Sequence, residues 1–256
     1  MFLFAACAIG CKVQPIGTAQ SELKVIEVID GDTVKLSNRK LLRYIGIDTP
    51  EIRHKTAQGF QYQPEPFSLE AKALNQKLVE GKVVRIEYDV QRTDAYGRLL
   101  GYCFVKDEHD NEIMADEEIL KEGLALLLTM PPNVKYTERF TRAQEYARQH
   151  KSGIWAAYVP VEADKAAAVI GKVAAVQGRV VSCYNSGNVL FLDFGRDYRT
   201  DFTAVIFKKD MPYFQKKGIN PYAYKGKRLE IIGKVKEYNG PEIIVRDPSH
   251  IRVLDN

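Results

Sequence analysis

Alternating apolar strands, closely spaced turn signals and only short helical stretches predict a mainly β protein with some α, an α+β chain laid out as two units in tandem. A step in charge marks the division. Residues 1–164 carry 21 basic and 24 acidic side chains, whereas residues 165–256 carry 16 and nine. The 256 residues are 45% apolar and 27% charged, with a net charge of +4. That is long enough for real cores, and it excludes a disordered, collagen-like or coiled-coil polypeptide. No apolar run reaches the ~18 residues of a membrane-spanning helix. The basic second half points to a polyanionic partner.

Residues 23–30 alternate, with β-branched enrichment, and stop at Gly31; residues 33–36 resume, so Asp30-Gly31-Asp32 reads as a hairpin turn. A third strand runs over residues 41–47 and ends at Thr49-Pro50, where proline offers no ladder donor. Residues 52–66, rich in Gln, Lys and Pro, read as a long exposed loop. Ser68 is placed to cap a helix whose apolar face is Leu69, Ala73, Leu74 and Leu78, closed by Gly81. Strands follow at 83–88 and 99–105. A short helix over 116–122 has Asp116 at its cap, and a longer one over 137–150 buries Phe140, Ala143 and Ala147.

Residues 156–170, with Pro160 and an alanine run, read as a linker. Beyond it, strand-like runs at 172–184, 188–194, 202–207, 228–237 and 242–254, with a helical candidate at 212–217, give the order of a small Greek-key barrel of the OB type. Asn239-Gly240 is a hairpin signal between the last two. The expected boundaries are 1–22 for a leader, 23–157 for the first unit, 158–170 for the linker and 171–256 for the second.

The leader Met1–Cys11 is a short apolar stretch ending in small residues before a cysteine. It resembles a bacterial lipoprotein signal in which Cys11 is freed and acylated, although no Lys or Arg precedes it. The expectation is an exported protein, secreted or lipid-anchored in the cell envelope. Cys103 and Cys183 lie in apolar runs without metal-ligand or disulfide spacing and read as small core residues.

The chemistry sits in four short stretches. Asp32 at a turn and Asp48 at a strand end meet at one rim of the sheet, where two carboxylates repel unless a cation lies between them. Aspartates and backbone carbonyls, with no His or Cys adjacent, suit a hard ion: calcium first, magnesium second. Taken alone, the Asp30–Asp32 segment also reads as an ordinary turn. Glu51 follows the Pro50 turn and stands where a base could take a proton from water. Arg43 lies five residues before Asp48, and on a flat strand that parity points it to the opposite face unless a bulge intervenes. Arg98 ends a Gly97-containing turn and offers the planar fork that a doubly charged phosphorane needs.

Asp30-Gly31-Asp32-Thr33-Val34-Lys35-Leu36, Ile47-Asp48-Thr49-Pro50-Glu51 and Gln91-Arg92-Thr93-Asp94-Ala95-Tyr96-Gly97-Arg98 closely resemble the staphylococcal nuclease (thermonuclease) family, as do Gly123-Leu124-Ala125 and Gly153-Ile154-Trp155. The resemblance covers about residues 23–157. It implies the family's OB barrel with three helices, with Asp32, Asp48 and the Thr49 carbonyl holding Ca²⁺. It also implies Glu51 as the activator of water, Arg43 and Arg98 on the scissile phosphate, and Tyr96 near the nucleotide. On the family's coiled barrel strand, Arg43 reaches the site despite its parity. The implied products are 3′-phosphate and 5′-hydroxyl ends. Two departures concern substrate grip: Leu127, Leu128, Thr129 and Met130 stand where the family has tyrosines, and Ala95 replaces a frequent lysine.

In the second half, most aromatics are expected to fill the core. Tyr184, Tyr198 and Tyr238, beside turns, are the surface candidates for stacking bases in an accessory nucleic-acid-binding module. The function expected is therefore a calcium-dependent nuclease acting on DNA and/or RNA. Its partners are nucleic acid and, through Cys11, a membrane; no protein partner is evident. The alternatives are a catalytically inactive nucleic-acid-binding scaffold and an envelope adaptor lipoprotein.

Overall fold

The computed structural model describes residues 20–57, 59–156 and 160–254. Cys11 and most of the leader therefore lie outside the described residues. Among those described, no helix is long and apolar enough to cross a membrane.

Five strands close the first barrel: Gln20–Val28, Thr33–Leu36, Leu41–Tyr44, Val83–Glu87 and Leu99–Lys106. The first three form an antiparallel meander, with Val28 opposite Val34 and Val34 opposite Leu42. The third pairs in parallel with the fifth, Leu42 beside Leu99, and the fourth runs antiparallel between the fifth and the first. Alternate residues Val34, Leu36, Leu42, Tyr44, Val84 and Ile86 point inward and are buried, as the period of two requires.

Helices α1 (Ser68–Val79), α2 (Ala115–Lys121) and α3 (Thr137–His150) close the barrel ends. Two details differ from expectation. Ser68 does not cap α1. It is the first helical residue, behind Phe67 in the left-handed region, and its hydroxyl donates to the Glu65 carbonyl. The buried face of α1 is Ser68, Ala71, Asn75 and Val79, while Leu69 is exposed. Asn75 displaces an apolar residue there because it is bonded on both sides, accepting from the Tyr44 hydroxyl at 2.9 Å and donating to the Asp30 carbonyl at 3.1 Å. Asp116 likewise is no cap: it lies within α2, fully buried, and accepts from the Cys103 amide at 2.9 Å. The stretch expected as a bare loop over 52–66 carries a small hairpin, Arg53–Thr56 against Gly59–Tyr62.

The second unit has the same connectivity. Its first strand, Val173–Arg179 continuing as Ser182–Asn185, pairs antiparallel with Arg228–Lys234 at one end and Val189–Asp193 at the other. Val189–Asp193 pairs with Thr203–Phe207, which runs parallel to Pro241–Ile244, itself hairpinned to Lys236–Glu237. A short helix, α4 (Met211–Lys216), sits between the third and fourth strands, as the sequence order requires. The run read as one strand over 242–254 is two. Pro248 interrupts it, and Ile251–Val253 pairs instead with Leu229–Ile231. Residues 161–169 are structured: Val161–Glu162 adds in parallel to Val176–Gln177, and Ala166 is buried in the second core.

The two barrels are docked against each other. Ala147 of α3 and Trp155 pack on Ala175 and Ile232. Arg148 donates to buried Glu230 at 2.9 Å, Thr129 Oγ1 donates to Asp247 at 3.0 Å, and His250 Nε2 donates to the Leu127 carbonyl at 2.8 Å.

Candidate active site

The site begins with a broken strand. Leu41–Tyr44 stops before Ile45, and Gly46–Asp48 restarts in a different direction, paired with Leu126–Leu128. The break is at Gly46, whose φ of +88° belongs to the left-handed region that glycine tolerates. An added methyl there would lie 2.5 Å from Cδ2 of Phe140, so ring and backbone share one space. This kink resolves the parity problem, because it brings Arg43 and Asp48 to the same side.

Arg43 then becomes the hub. Its Nε lies 3.1 Å from Asp32 Oδ1 and its Nη2 donates to Asp48 Oδ1 at 2.9 Å. Its Nη1 donates to the carbonyls of Tyr44 at 3.0 Å and Ile47 at 2.8 Å. Asp32, buried at the turn, accepts through Oδ2 from both the amide and the hydroxyl of Thr49, each at 2.9 Å. Gly31 makes this approach possible, since a methyl there would stand 2.7 Å from the Thr49 and Ala71 side chains. Asp32, Arg43, Asp48 and Thr49 are thus one bonded cluster.

Glu51 stands at its edge, exposed, with its amide donating to Glu65 at 3.0 Å. Desolvation in the cleft, then the charges of Asp32 and Asp48, push its carboxyl up, against the pull of Arg43. Desolvation also raises Asp48. Arg43 opposes that rise, Asp32 adds to it, and Arg246 and Lys234 of the second barrel oppose it too. Asp30 is pushed up to about 7 by burial and by Asp32. Four carboxylates therefore surround one guanidinium, and the surplus negative charge suits a cation. Every donor is oxygen, as a hard ion prefers. Among the described residues no group of three or more His, Cys, Asp or Glu is arranged to hold a metal.

Arg98 is not bonded into this cluster. Its Nε donates to Asp94 at 2.7 Å, and Asp94 also accepts the amides of Tyr96 and Arg98. Arg98 lies one residue before the fifth strand, whose Leu99 and Leu100 pair in parallel with Leu42 and Arg43. Tyr96 is 86% exposed, with the Arg98 guanidinium carbon 5.7 Å from its ring centre.

Five residues escaped the sequence reading. Glu65 ties the Glu51 amide to Lys234 of the second barrel and lies 3.6 Å from His54. Asn75 braces the Asp30 turn. Lys234, Lys236 and Arg246 line a cleft of about 380 Å³ with Asp48 and Glu51. Only the pairing of separate units reveals the last group. Leu126–Leu128 and Thr129 are the floor of that docking: the Leu127 amide donates to Gln144 at 2.8 Å, and its carbonyl and Thr129 hold the second barrel.

Residues 41–157 match the family model described as staphylococcal nuclease homologue. The chain is 40% identical over 136 residues to a thermonuclease of Staphylococcus hyicus, covering 52% of this chain and 74% of that protein. It is 34% identical over 132 residues to the SPbeta prophage-derived endonuclease YokF of Bacillus subtilis, covering 50% and 41%. Over 154 residues it is 32% identical to endonuclease YncB of the same organism, covering 56% and 68%. With 40% identity over three quarters of that thermonuclease, the chain belongs to the staphylococcal nuclease family.

Proposed function

We propose that the protein is a calcium-dependent nuclease that hydrolyses phosphodiester bonds of DNA and/or RNA, leaving 3′-phosphate and 5′-hydroxyl ends. The observation that carries this reading is the bonded convergence of Asp32, Arg43, Asp48 and Thr49, with the raised carboxyl of Glu51 at its open edge. Asp32, Asp48 and the Thr49 carbonyl would hold the ion; when bound, calcium polarises a phosphate oxygen and supports the attacking water.

Glu51 accepts a proton from that water as its oxygen bonds to phosphorus, a contribution typically worth ~10²–10⁴-fold. Its raised affinity for protons suits it to the task near neutral pH. Arg43, and Arg98 just before the strand that pairs beside it, would meet the charge that grows on the equatorial oxygens, and loss of such a donor usually costs about 3–4 kcal/mol. The bond to the 5′ oxygen breaks, that oxygen takes a proton from solvent water and leaves as a hydroxyl, and Glu51 returns its own proton to solvent. Tyr96, exposed beside Arg98, would touch the nucleotide.

The second barrel supports an accessory binding role. Tyr184, Tyr198 and Tyr238, separated along the chain, surround one cavity of about 560 Å³. Export through the leader, with acylation of Cys11, belongs to the same proposal and is checked by mass spectrometry of the mature N-terminus. For the reaction, single-stranded DNA and RNA are incubated with Ca²⁺ and then with chelator, and the product ends are analysed. Calcium-dependent cleavage to 3′-phosphates is expected. Intact polynucleotide with folded protein and calcium, or 5′-phosphate products, would refute the reading.

A further inference from the structure

The cleft beside Asp48 and Glu51 is built from both barrels. The first gives those acids and Thr49; the second gives Lys234, Lys236 and Arg246. Lys234 is spent on Glu65. Among the described residues, Lys236 and Arg246 make no ion pair, although Arg246 is only half exposed. Arg246 already feels the charges of Asp48 and Asp210, but with no close ion pair its guanidinium keeps donors free for a phosphate entering the cleft.

Lys236 stands on the outer face of one hairpin, Lys236–Glu237 against Pro241–Ile244, opposite Glu242, and Arg246 lies two residues past the end of its second strand. Alternation sends Val235, Ile243 and Val245 into the core. Lys236, Glu242 and Ile244 therefore share the other face, with Tyr238 just past one end of the hairpin and Arg246 just past the other. From Arg246 to Glu242 is four residues, ~13 Å along the strand. At that far end Tyr238 and Glu242 enter the cavity walled by Tyr184 and Tyr198. All three tyrosines are more than 60% exposed. Asp193 and Glu242 also line it, which discourages a phosphate there and offers acceptors for the amino and ring N–H groups of a base.

We propose that the second barrel completes the substrate site: a single-stranded polynucleotide crosses the seam from the catalytic cleft with its phosphates on Lys236 and Arg246, and seats a base among Tyr184, Tyr198 and Tyr238. The proposal rests on the nuclease reading above. The hairpin face acts as a ruler, so that strands long enough to reach the tyrosine cavity are bound and cut in preference to short ones. Salt screens the phosphate end of the track and leaves stacking at the other end nearly untouched.

The test uses the full chain and fluorescein-labelled oligothymidylates of three and twenty nucleotides. Binding is read by anisotropy in chelator across a salt series, and cleavage is read with Ca²⁺. The variants are Lys236→Gln/Arg246→Gln and Tyr198→Ala/Tyr238→Ala. Lys216→Ala, an exposed lysine of α4 outside both cavities, is the control. Unfolding midpoints verify folding. The cation variant is expected to lose at least ten-fold in affinity for the 20-mer, with the logarithmic salt slope falling by about 1.4 for two lost phosphate contacts. The tyrosine variant is expected to lose at least ten-fold with its salt slope kept. In both, the preference for the 20-mer over the 3-mer should collapse. Variants that bind and cut the two lengths in the parent's ratio would overturn the track and leave hydrolysis standing. A parent that cuts nothing, yet loses 20-mer binding in these variants, would overturn hydrolysis and support the track.

Discussion

Replacing Gly46 with alanine should damage both fold and site, by an amount that follows from two contacts. The backbone at Gly46 has φ +88°, and a non-glycine residue in the left-handed region costs about 1–2 kcal/mol. The new methyl also meets the ring of Phe140, which is itself buried, and overpacking of this kind costs ~1–3 kcal/mol. The expected loss is therefore about 2–5 kcal/mol. Urea unfolding followed by the fluorescence of Trp155, the single tryptophan, reads it out. A double-mutant cycle with Phe140→Leu separates the terms: in the smaller background the overpacking part should shrink, giving a coupling of ~1–2 kcal/mol, while the backbone part remains. Because the kink carries Asp48 to Arg43, nuclease activity should fall by about 10²-fold even where the protein remains folded. A cost below ~0.5 kcal/mol, the limit expected of an uninvolved position, would refute the reasoning. So would an equal cost in both backgrounds.

Asp116→Asn should stabilise the protein with a definite pH signature. Burial pushes the Asp116 carboxyl up to about 8 from an ordinary 3.8, and its Oδ1 has no hydrogen-bond partner. A raised folded-state value means stability is fully present below about pH 4 and drains away as pH rises toward 8. The asparagine variant should lack that loss and exceed the parent by up to ~4 kcal/mol at pH 7, as measured by urea midpoints at pH 5, 7 and 8. His250 works the other way. Burial lowers its proton affinity below the ordinary 6.5, so acidification below that value should cost stability, and His250→Gln should flatten this limb of the profile. Glu230→Ala removes the buried acceptor shared by Arg148, Gln177 and Arg252 at the seam, leaving Arg148 only Glu145 at 3.8 Å, and should destabilise by ~3–5 kcal/mol, visible in the same denaturant assay. Arg98→Ala should lower kcat by about 10²–10³-fold with the barrel intact, measured on single-stranded DNA.

Most of the first barrel was legible because its strands alternate cleanly and end at turn residues, as at Gly31 and Pro50. The acids were legible too, since Asp32, Asp48 and Glu51 sit at those same ends. Arg43 was not placed by periodicity, because the kink that redirects its strand depends on Gly46 and on a ring from α3 far along the chain. The face of α1 is legible only in part, since Leu74 and Leu78 pack on the core but Leu69 does not, for a related reason. Ser68 and Asn75 are buried by hydrogen bonds that no local pattern announces, and they displace Leu69 outward. Lys236 and Arg246 look like ordinary strand cations until the second barrel is seated on Leu127 and Thr129. The three tyrosines beside turns were identifiable one by one, but their meeting in one cavity is a property of barrel closure.

The central claim is that Glu51 takes the proton from water while Asp32 and Asp48 hold the ion. It is tested most directly by titrating Ca²⁺ into single-turnover cleavage of single-stranded DNA by the parent and by Glu51→Gln. Calcium-dependent cutting by the parent is expected, with a fall of ~10²–10⁴-fold in rate for the variant at unchanged unfolding midpoint. A folded Glu51→Gln protein that cuts at the parent's rate, or a parent that cuts equally well in chelator, would contradict it.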